Sequence, residues 1–157
     1  MAHLQKTIKL ILLFAFAVVS QYAFAQLKEH AVSDDWQTLG EVKYVGAPKA
    51  RITFLPGKSD TTYLLLMRDH RYELKDYFSV RFSGKDNTLE NLYNILISFF
   101  TKENRKNKKY EKLFTLGSDR VFVQHYKQLT SHQIMISTHD GHILLGEGEV
   151  KRLFNKK

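Results

Sequence analysis

One stretch of helical periodicity sits inside a chain that otherwise alternates, and that contrast fixes the class of fold open to it. Leu89, Leu92, Tyr93, Leu96, Phe99 and Phe100 recur at three- and four-residue spacing, which stacks them on one face of a helix over about 87–100. Asn87 stands three residues before Glu90, the arrangement in which each side chain satisfies a helix N–H that lacks a partner. On both sides of this helix the period falls to two. Phe78, Val80 and Phe82 alternate with Ser79, Arg81 and Ser83, the mark of a strand with one wet face. Further strand runs fall at 39–45, 51–54, 61–67, 113–116, 121–126, 134–137 and 142–145. Gly46-Ala47-Pro48, Pro56-Gly57, the Arg68–Arg71 turn, Gly117-Ser118-Asp119 and His139-Asp140-Gly141 punctuate them. The Thr61–Met67 run is almost all apolar or β-branched, so it is expected to be buried on both faces.

Short strands joined by short turns imply an antiparallel meander of about seven strands. The chain closes with Val150, Leu153 and Phe154 at helical spacing, a second helix over about 147–155. Glu147 and Glu149 lead it and Lys151, Arg152, Lys156 and Lys157 follow, as the helix dipole favours. The fold class is therefore α+β. Two architectures satisfy this order: one antiparallel sheet with the 87–100 helix across a face, or a small barrel capped by the C-terminal helix, with 87–112 inserted. In strand count and final helix the second resembles pleckstrin-homology-like barrels.

The first 25 residues are not expected to join the fold. Lys6 and Lys9 flank the start of an apolar run of ten residues, Leu10 to Val19, and Ala23-Phe24-Ala25 supplies a small-x-small exit. Those three regions together are the pattern of a cleaved secretory signal peptide, and the run is half of the ~20 residues that a bilayer span needs. The expected mature chain is 26–157, a single domain without a transmembrane segment, in which 26–35 is a loose lead-in. The chain has no cysteine, which excludes disulfides, thiol nucleophiles, Cys-ligated metals and a lipidated N-terminal cysteine. An exported chain stabilised by its core alone points to a bacterial periplasm, outer surface or extracellular space.

Chemistry has few candidates. Histidines stand at 30, 70, 125, 132, 139 and 142 beyond the leader. His139 and His142 flank Asp140-Gly141 at a hairpin, but zinc wants three or four donors and no metal-binding frame surrounds them, so no metal and no cofactor is expected. Asp34, Asp35, Asp69 and Asp76 occupy loop positions where Asp sets turns, whereas acid–base hydrolysis needs two carboxyls held across a cleft. No nucleophile elbow, phosphate loop or dinucleotide fingerprint is present, and Gly146-x-Gly148 lacks the third glycine. Most of the many aromatics fall on apolar faces. Tyr77, Tyr110 and Tyr126 are expected at the surface, where with Arg71, Arg81 and Lys109 they would form a stacking platform for a sugar or peptide.

The feature with a direction is a basic run. Lys102, Arg105, Lys106, Lys108, Lys109 and Lys112 crowd one segment against Glu103 and Glu111, in a chain whose formal charge is already +8. Nucleic acid is the usual partner of such a patch, but an exported protein rarely meets it. Anionic lipid headgroups, lipopolysaccharide or acidic glycans fit better, with a solvated loop as the plain alternative. The leading expectation is thus a small exported, non-catalytic binding module. A small hydrolase using Asp69, His70, His139, Asp140 and His142 is the rival, and an accessory subunit bound to a protein partner in a cell-envelope assembly is the third class.

Overall fold

A computed structural model describes residues 35–71, 76–127 and 131–156. The leader, almost all of the 26–35 lead-in, His30, Asp34 and Tyr72 lie outside the described residues. Eight strands and two helices follow in order: β1 (Gln37–Tyr44), β2 (Ala47–Pro56), β3 (Thr61–Arg68), β4 (Tyr77–Ser83), α1 (Thr88–Ser98), β5 (Glu111–Leu116), β6 (Asp119–Lys127), β7 (His132–Ser137), β8 (His142–Gly146) and α2 (Glu147–Leu153). They form not one meander of about seven strands but two four-stranded antiparallel sheets, β1-β2-β3-β4 and β5-β6-β7-β8. The 84–110 segment carries the chain out of the first sheet, so β5 starts a new ladder instead of extending the old one.

The inward faces of both sheets and both helices make one core. Ile52, Leu65 and Val80 lie in adjacent register across β2, β3 and β4 and are buried, as are Ala50, Met67 and Phe78. Val123, Ile136 and Ile143 do the same across β6, β7 and β8. Leu92 and Leu96 of α1 enter this cluster with Phe99, as the helical spacing requires. The expected capping pair does not form. Asn87 takes a left-handed conformation at φ 57° and its side chain makes no cap bond, because Lys85–Asn87 forms a single 3₁₀ turn that leads into the helix. Burial of β3 on both faces fails as well. Leu65 and Met67 are buried, but Leu64 and Leu66 are only half-buried, lying beside Thr53 and Arg51 on the outer face of the sheet. Apolar composition alone concealed an ordinary alternation.

Two local devices place the elements that border the site. The β1–β2 connection is a two-residue turn, Val45-Gly46, with both φ positive at 48° and 77°. Ala47 and Pro48, expected to lie in the break, are therefore the first residues of β2. Val42 pairs with Ala50 while Lys43 pairs with Pro48, so Lys49 is an extra residue bulged out of the ladder. The bulge aims Lys49 at α2, where its Nζ meets both carboxylate oxygens of Glu149 at 2.7 and 2.8 Å. Glu149 also accepts the Gly146 N–H at 2.8 Å and so caps its own helix. At the far end of α2 the helix sits directly on β1: a Cβ on Gly40 would lie 2.3 Å from the Leu153 carbonyl oxygen.

Candidate functional site

The basic run proves to be a braced knuckle. Thr101 Oγ1 donates to the Ser98 carbonyl at 3.1 Å and accepts from the Asn104 N–H at 3.3 Å, turning the chain at the end of α1. A short 3₁₀ turn, Asn104–Lys106, follows. Asn104 Nδ2 donates back to the Ser98 carbonyl at 2.8 Å, and the Asn104 carbonyl accepts from His125 Nε2 of β6 at 3.0 Å. Asn107 then accepts the Lys109 N–H on its side chain at 3.1 Å and the Tyr110 N–H on its carbonyl at 3.0 Å. Tyr110 ties down the exit: its hydroxyl is 3.0 Å from Ser98 Oγ and its ring meets Phe99 edge-on at 4.7 Å. Tyr110 is thus a partly buried anchor, not part of an exposed stacking platform.

On this frame Lys102, Arg105, Lys106, Lys108, Lys109 and Lys112 are all exposed. Among the described residues none of the six pairs with a carboxylate; Lys112 instead lies 5.1 Å over the Tyr110 ring. Elsewhere several cations are matched. Lys43 and Arg51 share Glu41, whose pKa is lowered chiefly by the Arg51 hydrogen bond, and Lys151 and Lys156 reach Glu147 and Glu90. Lys58, Lys85, Arg120, Lys127 and Arg152 also lack a carboxylate partner among the described residues, so what sets the knuckle apart is the crowding of six such cations on one braced segment.

The two turns that the hydrolase reading needs do meet, though not as a catalytic set. The His70 N–H donates to the His142 carbonyl at 2.8 Å, and the two imidazoles stand 6.0 Å apart. Asp69 is the buried member. Arg71 grips its carboxylate, with Nη2 at 2.7 Å and Nε at 3.1–3.2 Å, and the backbone N–H of Arg71 adds a bond at 3.0 Å. These bonds, Arg71's first, hold the Asp69 pKa down at about 2, with a backbone bond from His142 assisting. Arg71 also donates to the Asp140 carbonyl at 3.2 Å, and a Cβ on Gly141 would lie 2.7 Å from Asp69 Oδ2.

Asp69 thus staples one turn to the other, and a carboxylate so occupied is a poor proton carrier near neutral pH. Burial lowers the His142 pKa, with Arg71 and His70 adding to it against Asp69. His139 is 99% exposed and bonds its neighbour Asp140, itself 60% exposed, at 3.1 Å. Of the five residues, Asp69 and His70 line a pocket of about 280 Å³, together with Tyr44, Lys49, Arg68 and Gln133.

Sequence reasoning missed the pocket's other walls, because Lys49 and Gln133 reach it through a bulge and a second sheet that no short-range pattern encodes. It also gave no role to His125 and His132, whose rings lie 4.9 Å apart beneath the knuckle. No family model, curated protein or solved structure matches the chain.

Proposed function

We propose that this chain is an exported, non-catalytic binding module that docks an anionic component of the cell envelope on the 102–112 knuckle. One observation carries the reading: six exposed cations without carboxylate partners among the described residues, held on a braced turn. Exposed ion pairs contribute little to folding, so concentrating unmatched charge on a rigid protrusion serves recognition better than stability. Export is read from the leader pattern at 1–25, and two four-stranded antiparallel sheets followed by a final helix support reading the fold as a pleckstrin-homology-like barrel.

Co-sedimentation with vesicles containing anionic lipid or lipopolysaccharide, at two salt concentrations, tests this. Each basic residue close to such a surface contributes ~1 kcal/mol, and screening over about 8 Å at physiological ionic strength weakens the sum steeply. Substituting Lys102, Lys106, Lys108 and Lys109 by Gln should abolish binding and leave the unfolding midpoint within about 0.5 kcal/mol of the parent. Binding that ignores salt or survives the four substitutions overturns the reading. A hydrolase remains the second reading, favoured by the contact of the two turns beside the pocket; His70→Ala would then remove a hydrolytic activity without affecting vesicle binding.

A further inference from the structure

One buried hydrophobic side chain stays outside the core, and it marks the pocket between the sheets. Leu144 is 3% exposed, yet alone among the buried hydrophobics of the described residues it does not join the core cluster. Alternation along β8 explains this. Ile143 and Leu145 face the core, so Leu144 takes the other face, opposite Met135. With Ile143 it supplies the apolar lining of the pocket of about 280 Å³. Small-molecule sites span ~300–1,000 Å³, so this one has room for a ligand at the small end of that range.

The rest of the lining is polar, and one permanent positive charge is left over. Asp69 borders the pocket but is held by Arg71, and Lys49 is held by Glu149. Two of the three Lys49 N–H donors serve the Glu149 oxygens at 2.7 and 2.8 Å, which leaves a third. Arg68 has no carboxylate partner among the described residues. Its guanidinium lies instead over the Tyr44 ring, with Cζ 6.0 Å from the centroid. That contact consumes no hydrogen-bond acceptor, so the fork that grips a carboxylate with two parallel bonds stays open. Gln133, on β7, makes no side-chain hydrogen bond among the described residues, and its amide offers a donor and an acceptor together.

We infer that this pocket binds a small N-acylated amino acid or its chemical equivalent, the C-terminal residue of a peptide. Arg68 takes the carboxylate with the spare Lys49 donor beside it, Gln133 pairs with the neighbouring amide, and the ligand's apolar side chain rests on Leu144. A single surplus charge selects a monoanion. The second charge of a phosphate monoester would enter beside Asp69 and Glu149 without a partner. The site is separate from the knuckle and does not depend on what the knuckle binds.

The experiment is a titration of the ¹⁵N-labelled full chain with N-acetyl-L-leucine, followed by NMR at the Gln133 side-chain amide and the Arg68 Nε–H. Saturable shifts of both are expected. N-acetyl-L-leucinamide, which lacks the carboxylate, and phenyl phosphate should shift neither. Arg68→Gln, read at Gln133, should weaken binding about tenfold or more, as loss of a charged hydrogen bond does. Arg68→Lys should restore only part of the affinity, because an ammonium lacks the fork. Unfolding curves establish that both variants are folded. A pentapeptide ending in leucine separates the two sources: equal affinity identifies a peptide C-terminus, weaker binding a free acylated amino acid. Absence of shifts at Gln133 and Arg68 overturns the inference, as does equal binding of the leucinamide. Shifts confined to the 102–112 segment overturn it too. Release of acetate from the probe overturns it in favour of the hydrolase reading.

Discussion

Val45 is a β-branched residue at φ 48°, 87% exposed at the tip of the β1–β2 turn. Both central positions of such a turn want a left-handed backbone, which Asn and Gly adopt readily and valine resists. Val45→Asn should therefore stabilise the protein by on the order of 1 kcal/mol, read as a higher denaturant midpoint. Sequence reasoning put the break one residue late because Gly46 and Pro48 are stronger signals than a valine. Asp69 makes the opposite kind of local statement. Its carboxyl titrates near 2 in the folded chain instead of 3.8, so the unfolded chain takes up the proton first as pH falls. The stability it contributes is complete above about pH 4 and is lost as pH falls toward 2. Asp69→Asn should destabilise by roughly 1–3 kcal/mol at pH 7 and flatten the acid limb of stability measured between pH 5 and 2.5.

Among the elements, α1 was the most legible. Its apolar face, Leu92 and Leu96 above all, is buried as the spacing requires, while its cap failed because Asp86 and Asn87 both take left-handed backbone. Leu96 is fully buried, so Leu96→Ala should cost about 2–5 kcal/mol by thermal or denaturant unfolding. The strands were legible where polar residues marked their outer faces, as in β4, and misleading where they did not, as in β3. Nothing in the alternation of β1 indicated that Gly40 receives the end of α2. With the Leu153 and Arg152 carbonyls at 2.3 and 2.5 Å from any added Cβ, Gly40→Ala must push a backbone away. A loss of about 1–3 kcal/mol is expected from denaturant unfolding, and a Gly40→Ser chain should lose at least as much.

At the scale of the molecule, the charge was legible and its setting was not. Counting Lys and Arg located the 102–112 segment, but its brace depends on Ser98, Asn104, Tyr110 and His125, which come together only when β6 passes beneath the end of α1. The contact between the 69–71 and 139–142 turns likewise requires two sheets to meet, a fact invisible to any window of sequence. The seat of α2 on β1 has a consequence for how the chain is made. Each meander can zip up from neighbours as it leaves the ribosome, because its pairings are local. Val42 and Ile52, however, belong to a core that also needs Val150, Leu153 and Phe154, among the last described residues to be synthesised. A nascent chain stalled before Glu147 therefore holds two finished hairpin arrays with an open apolar seam between them. Proteases and chaperones would see that seam until α2 is added, which makes docking of this helix the step that commits the molecule to its native state.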